Sequence, residues 1–194
     1  MRRGEVETAI GAALAQLGQD ADYRLDRQPR GDGTPHVEGE GPFFELIVDD
    51  DGMEKSRETV DGHELLFRIL RRETRLIAMA EERRTRSDEA PEWLRSLRRW
   101  WPGALAGLIG SDDYSRATWI DAHVRLMTHL RSDWGARVRT ENDALLRRYP
   151  LTTSERENFR RLDLGGFGIN ERRAGNGATT GGRPPEPAKP GRGA

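Results

Sequence analysis

Apolar residues recur every three to four positions over most of the chain, which predicts four main helices. In the first helix, Val6, Ile10 and Leu14 fall on one face. Asp61 and Glu64 stand at the spacing of a capping box just before an apolar run, so Asp61 is predicted to cap the second helix and Glu64 to reach back to it. The helices are expected at about residues 4–18, 62–85, 113–131 and 132–149, with a short fifth helix near 153–162.

A β-branched and aromatic pattern marks a second kind of element between the first two helices. The run FFELIVD at 43–49 and the run MEKSRETV at 53–60 flank the sequence Asp-Asp-Gly at 50–52, which is typical of a tight turn. This pattern predicts an antiparallel hairpin. Residues 19–42, which precede the hairpin, are rich in glycine and are predicted to be irregular, with a short strand near 22–27 as a further candidate.

The order of these elements defines the expected fold class. We predict an α+β fold, mostly α, in which the N-terminal helix and the small antiparallel β-hairpin pack beside a three-helix bundle. Residues 1–162 are expected to form a single domain, which is long enough to bury a core. Residues 163–194 are rich in glycine and proline and are predicted to be a disordered tail.

A segment between the second and third helices holds an unusual concentration of tryptophan. Trp93, Trp100 and Trp101 lie within residues 87–111, together with two prolines and three glycines. This composition predicts one or two short helices. In one interpretation they form a flap that folds onto the bundle and buries these rings. In the other, one or two of the rings are exposed anchors of an interface, where tryptophan is enriched.

The composition excludes several classes of site and of protein. The chain has no cysteine, which rules out disulfides and thiolate metal sites. No run approaches the roughly 20 apolar residues of a membrane-spanning helix. The N-terminal segment also lacks the continuous apolar stretch of a signal peptide. Together these features predict a cytoplasmic protein.

Acidic residues are concentrated in the N-terminal third of the chain. The net charge is only −1, but residues 1–62 carry 15 Asp and Glu against 7 Lys and Arg. An acidic surface attracts and selects a basic partner. The candidate partner-binding residues are the acids around the predicted hairpin and the three tryptophans, namely Glu38, Glu40, Glu45, Asp49, Asp50, Asp51, Glu54, Trp93, Trp100 and Trp101.

Four polar residues fall on the apolar faces of the predicted helices. Glu73 lies in the apolar stripe of the second helix, Arg116 and His123 in that of the third, and Glu141 in that of the fourth. These groups need partners, because a buried charge that loses its partner costs about 3–5 kcal/mol. They are predicted to form an inward polar network that fixes the register of the helices. A polar groove facing a partner, or a catalytic or metal site, would use the same residues.

Signatures of catalysis and of nucleic-acid binding are weak. There is no G-x-S-x-G motif, and His123 and His129 are too far apart around one helix to share a metal ion. The basic runs RRETR at 71–75 and RRTR at 83–86 are interspersed with acids, as on an ordinary solvated helix. We therefore expect no cofactor, no metal and no nucleic-acid partner.

One group of motifs resembles a known family. D-Y-S-R-x-x-W at 113–119, H-x-x-L-M-x-x-L at 123–130, W-G-x-R at 134–137 and E-x-x-x-L-L-x-x-Y-P at 141–150 are similar to segments of the bacterial polymorphic-toxin immunity proteins of family 63. The D-x-x-E-L-L start of the second helix fits the family in the same order. The resemblance covers about residues 5–151.

The resemblance implies a function without catalysis. Such a protein binds a cognate toxin, made by the same or a sibling cell, and blocks it; no catalytic residues carry over to this chain. Three features depart from the family's pattern. The family usually has glutamine at the position of His123, often a second basic residue at Ser115, and a shorter connection in place of residues 87–111.

Two other functions stay open on the sequence alone. The first is a helical adaptor or regulatory binding protein that has no toxin as its partner. The second is a metal-dependent hydrolase that would use Glu73, His123 and Glu141.

Overall fold

The computed structural model describes residues 1–86 and 114–169 and shows a mixed α+β fold that is mostly helical, which confirms the predicted fold class. Trp93, Trp100 and Trp101 and residues 170–194 lie outside the described residues. The elements are helix α1 (Arg3–Gln16), strands β1 (Asp32–Glu38), β2 (Phe43–Asp50) and β3 (Met53–Asp61), helices α2 (Gly62–Thr85), α3 (Arg116–Leu130), α4 (Ser132–Arg148) and α5 (Thr153–Glu157), and a short 3-10 helix (Gly165–Phe167).

The sheet has three antiparallel strands in the order β1-β2-β3. Strands β2 and β3 form the predicted hairpin. Asp51 and Gly52 connect them with φ angles of 51° and 73°. Positive φ angles at both central residues are typical of a type I′ turn, whose twist matches that of the flanking strands.

Strand β1 corrects the prediction that residues 19–42 are irregular and that any strand there lies near 22–27. Its sequence contains Gly33 and Pro35, and both residue types are unfavourable inside a strand. The strand forms because it lies at the edge of the sheet, where a proline need not donate to a neighbour. The register between β1 and β2 is also irregular at this point, between Asp32 and Pro35.

One face of the sheet packs against the helices. Val37 of β1, Phe44 and Leu46 of β2 and Val60 of β3 are buried in one apolar core with residues of α1 and α2. Because side chains alternate between the faces of a strand, the residues between these positions belong to the opposite, outer face. The sheet is therefore anchored by one face, and its other face carries charged residues.

Helix α2 organises the rest of the molecule. It contacts the sheet and α1, and it also packs against α3, which in turn packs against α4. A second apolar core forms around α3, where Trp119 and Leu126 are buried with Leu162 and Leu164. None of the helices in residues 1–86 and 114–169 is both long enough and apolar enough to cross a membrane.

The packed chain continues beyond residue 162. Leu164 is only 1% exposed, and Phe167 and Ile169 pack against the second core. Residues 163–169 thus differ from the disordered tail predicted to begin at 163, because their apolar side chains complete the core around α3.

Helix α1 holds the edge strand through a buried arginine. Arg3 is 3% exposed, and its guanidinium donates to the carbonyl oxygen of Val37 at 3.0 Å and to that of Leu25 at 2.8 Å. Glu7 lies 3.4 Å from the same guanidinium and accepts a hydrogen bond from the backbone of Leu25. This pair joins α1 to the segment that leads into β1.

Candidate functional site

The side chains of two motifs meet between α2 and α4. Asp61 caps α2 as predicted, accepting from the backbone N–H groups of His63 and Glu64 at 2.8 and 2.9 Å. Glu64 does not reach back to Asp61 as a capping box requires. Its carboxylate accepts two hydrogen bonds from Arg137 at 2.6 and 2.8 Å and one from Arg68 at 2.8 Å, and these bonds lower its pKa to about 2. Glu64 of the D-x-x-E motif therefore links α2 to α4 through its ion pair with Arg137.

The W-G-x-R motif packs against the same part of α2. Trp134 meets the ring of Phe67 edge to face, with the ring centroids 6.0 Å apart. The guanidinium of Arg137 lies 3.9 Å from the centre of the Phe67 ring. These aromatic and cation–π contacts add to the ion pair with Glu64 and hold α4 against α2.

A second pair of motifs meets at α5. Ser115 donates to the backbone carbonyl of Glu155, and Arg116 forms a two-pronged ion pair with the carboxylate of Glu155, with one N–O distance of 2.8 Å. Arg116 also donates to the carbonyl of Pro150 at 2.8 Å. The pairing lowers the pKa of Glu155 to about 2. Ser115 and Arg116 therefore hold the start of α3 against α5, and Arg116 also holds the Y-P segment that follows α4.

The other three predicted inward residues have separate partners. Glu73 pairs with its neighbour Arg72 at 2.8 Å, and Glu141 pairs with Arg71 at 2.9 Å. His123 is buried, and its Nε2 donates to the backbone carbonyl of Arg71 at 3.0 Å. The single network of four residues expected from the sequence is therefore not formed, because each carboxylate is neutralised by the closest arginine.

A groove of about 390 Å³ lies between α2, α3 and α4, and we call it the arginine groove. Helix α2 contributes four arginines, and the other two helices contribute aromatic, polar and apolar groups. Two of the predicted inward residues, His123 and Glu141, line it. The lining residues are Arg68, Arg71, Arg72, Arg75, Trp119, His123, Glu141, Asn142 and Leu145.

These arginines were not predicted as a group, because the acids interspersed in the run at 71–75 are typical of a solvated helix. Positions 68, 71, 72 and 75 stand at the i, i+3, i+4, i+7 spacing that places four side chains on one face of a helix. That spacing could have predicted the shared face from the sequence. That Trp119 and Asn142 lie beside this face could be learned only from the folded structure.

The outer face of the sheet is the second candidate surface. Residues 32–61, which form the sheet and its turns, carry ten Asp and Glu against only Lys55 and Arg57. Residues 1–31 carry equal numbers of each sign, so the acidic excess of the N-terminal third belongs entirely to the sheet. Four carboxylates lie on or beside this outer face, and we call it the acidic face, defined by Glu38, Glu45, Asp49 and Glu54.

The centre of the acidic face is covered by long polar side chains. Arg57 of β3 pairs with Glu54 at 2.9 Å and also reaches Glu38 on β1, at 3.5 Å. It thereby passes over Ile47 of the central strand, which is 1% exposed. His36 is buried beside Ile47, and its Nδ1 lies 3.2 Å from a carboxylate oxygen of Asp49. The face is therefore polar at its surface although its centre is apolar.

The predicted acidic residues differ in how available they are. Glu54 is exposed, although Arg57 hydrogen-bonds it and lowers its pKa. Glu45 is half-buried and accepts from the hydroxyl of Thr59 at 2.6 Å. Asp49 is only 15% exposed. The remaining three lie in the connections of the sheet: Glu40 pairs with Arg27, Asp51 forms the β2–β3 turn, and Asp50 is exposed at the start of that turn.

Metal ligation by Glu73, His123 and Glu141 was one of the functions left open by the sequence. Within residues 1–86 and 114–169, no three His, Cys, Asp or Glu side chains are grouped so that they could hold a metal ion. The two glutamates are engaged by arginines, and the imidazole Nε2 is engaged by a carbonyl.

Comparison with known proteins identifies the family. The model of the family named Immunity protein 63 matches residues 40–144, which is more than half of the chain. That range extends from the β1–β2 connection into α4 and so includes most of the acidic face and most of the arginine groove. No curated protein and no solved structure matches the chain. The protein thus belongs to the Immunity protein 63 family.

Proposed function

We propose that this protein binds a cognate toxin domain and blocks it by covering part of its surface, without catalysis. Membership of an immunity protein family supports the role. The observation that carries the choice of surface is the concentration of ten acids against two bases in the three-stranded sheet. A surface of one sign accelerates encounter with a partner of the opposite sign and disfavours other partners. The proposed partner is therefore a toxin domain with a basic surface.

The distribution of the motif residues supports the same choice. Contacts between helices engage Glu64 of D-x-x-E, Arg137 of W-G-x-R and Arg116 of D-Y-S-R. Residues used in this way stabilise the fold and are poorly placed to bind a partner. Glu38 and Glu54, by contrast, keep 53% and 44% of their side chains exposed. They can approach a partner without unfolding any element.

The test reverses charge at exposed acids of the sheet. We choose Glu38→Lys, Asp50→Lys and Glu54→Lys together, because Asp49 supports His36 and Asp51 adopts a positive φ angle in the turn. The probe is the purified C-terminal domain of the toxin encoded beside this gene. We expect at least about a tenfold loss of affinity at low ionic strength, and a weaker dependence of affinity on salt.

A matched control separates local from overall charge. Asp20→Lys, Asp143→Lys and Glu157→Lys change the net charge by the same amount at exposed positions outside the sheet. This variant should keep most of the affinity. Equal losses in both variants would remove the acidic face from the mechanism. If the wild-type protein neither binds the toxin domain nor protects cells that express it, the proposed function itself is wrong.

A further inference from the structure

Among the described residues, the arginine groove contains one arginine that no carboxylate neutralises. Three of its arginines have carboxylate partners: Arg68 pairs with Glu58 at 2.7 Å, Arg71 with Glu141 and Arg72 with Glu73. Arg75 makes no ion pair within residues 1–86 and 114–169, and its guanidinium lies over the ring of Trp119 at 5.0 Å. An exposed guanidinium held against an aromatic ring keeps its hydrogen-bond donors free for a ligand.

Two further groups in the groove are available to a ligand. The side-chain amide of Asn142 makes no hydrogen bond to the described part of the chain. Leu145, one turn further along α4, is 40% exposed although it is a large apolar residue. A cation and an amide that have no partner in the described ranges thus line one concave site together with an exposed leucine.

We propose that the arginine groove receives a carboxylate side chain of the toxin together with an adjoining apolar side chain. Arg75 and the amide nitrogen of Asn142 donate hydrogen bonds to the carboxylate, and Leu145 contacts the apolar side chain. Arginine is among the residue types enriched at the energetic centres of interfaces, and the buried ring of Trp119 holds the guanidinium of Arg75 in place. This inference rests on the proposed function and adds a second contact, opposite in charge to the acidic face.

The local charge favours a protein carboxylate over a nucleic acid. A nucleic-acid surface needs several unneutralised cations along one face to replace the counterions of the phosphates. Here three of the four groove arginines already have carboxylate partners. The volume of about 390 Å³ is also at the small end of the range for ligand sites and suits one or two side chains.

The experiment measures binding of the same toxin domain to two variants of the full-length protein, Arg75→Gln and Asn142→Ala. Arg75→Gln keeps a long polar side chain in the helix and removes the charge. We expect it to lower affinity at least about tenfold, and Asn142→Ala to lower it a few-fold. The control is Arg139→Gln, which removes an exposed arginine of α4 that does not line the groove. It should bind like the wild type.

A double-mutant cycle identifies the toxin carboxylate. Each surface Asp and Glu of the toxin is replaced by Asn or Gln and is measured against wild-type protein and against Arg75→Gln. We expect one toxin position whose replacement weakens binding to the wild type at least about fivefold and has almost no further effect on Arg75→Gln. Thermal unfolding of the isolated variants, with midpoints close to the wild type, shows that the loss is local.

Two outcomes would overturn the inference while leaving the proposed function intact. One is a toxin that binds the wild type and both groove variants equally well. The other is a fluorescent single-stranded oligonucleotide that binds the wild type but not Arg75→Gln, and that does not displace the toxin domain from the wild type. A wild-type protein that does not bind the toxin at all would contradict both proposals together.

Discussion

At the scale of single residues, His123 shows how burial sets the charge of a group. The imidazole is 2% exposed, and burial lowers its pKa from 6.5 to about 4, so it is neutral at physiological pH. Its Nε2 donates to the carbonyl of Arg71, while its buried Nδ1 has no hydrogen-bond partner in the described chain. Arg71 and Arg75 lie close enough to oppose a positive charge there as well.

This burial predicts a pH-dependent loss of stability. The unfolded chain, in which histidine has its ordinary pKa near 6.5, takes up a proton at a higher pH than the folded chain. The contribution of His123 is therefore fully present above about pH 6.5 and is lost as the pH falls towards 4. His123→Gln should flatten this part of the profile, because an amide does not titrate and its nitrogen can still donate to Arg71.

The measurement is the free energy of unfolding by urea at several pH values between about 4 and 7. His129→Gln is the matched control, since it removes an exposed imidazole from the same helix. We expect the control to keep the wild-type slope and His123→Gln to have a shallower one. Parallel profiles for His123→Gln and the wild type would show that His123 is not held neutral in the folded state.

Sequence periodicity predicted which polar residues would be unusual, but it could not predict their partners. Placing His123 on the apolar stripe of the third helix correctly predicted its burial. The partner of Arg116 is Glu155, 39 positions away in the chain and in a helix of five residues. Helical projection describes one helix at a time, so it cannot predict a contact between residues of two different helices.

At the scale of elements, the corner between α3 and α4 depends on one glycine. Only Arg131 separates the two helices, so their ends must approach closely. A Cβ atom placed on Gly135 would lie 2.8 Å from the Cα of Thr128 and closer still to its hydroxyl oxygen. The first of these is a backbone atom, which cannot move aside without shifting α3.

Gly135→Ala should therefore destabilise the protein. Alanine is about 1 kcal/mol better than glycine inside a helix, but overpacking costs about 1–3 kcal/mol. We expect a net loss of up to about 2 kcal/mol in the free energy of unfolding. Gly4→Ala in α1 is the control, because a Cβ there meets nothing within 4 Å, and it should be neutral or slightly stabilising. A gain of stability in Gly135→Ala would show that the two helices can separate at no cost.

The elements themselves were predictable to different degrees. Helix α2 begins and ends where the capped apolar run predicts. Strand β1 was missed because Gly33 and Pro35 mask its strand pattern, and only pairing with β2 makes it a strand. The packing of residues 163–169 was missed because glycine and an acid surround Leu164, so its burial against α3 has no local signal.

At the scale of the whole molecule, positive and negative charge are separated by element. The net charge of −1 hides an acidic sheet and helices that are rich in arginine. The acidic excess of the N-terminal third was readable from the sequence. Its outer-face position was not, because it depends on which face of the sheet Phe44 and Leu46 bury. The acidic face and the arginine-lined groove therefore lie on different elements of the molecule.

This separation predicts that the two surfaces act on different rate constants. Long-range attraction by the acidic face operates before contact, so the triple reversal of Glu38, Asp50 and Glu54 should mainly slow association. The groove acts only after docking, so Arg75→Gln should mainly accelerate dissociation. Because salt at about 0.5 M screens charges beyond a few ångströms, it should abolish most of the first effect and little of the second.

Stopped-flow or surface-based kinetics with the toxin domain, at about 0.05 and 0.5 M salt, separate the two rate constants. We expect about a tenfold lower association rate for the sheet variant at low salt, with a dissociation rate within about twofold of the wild type. For Arg75→Gln we expect the reverse pattern at both salt concentrations. A change in the same rate constant for both variants would contradict this assignment. It would show that the acidic face does not act mainly on association and the groove mainly on dissociation.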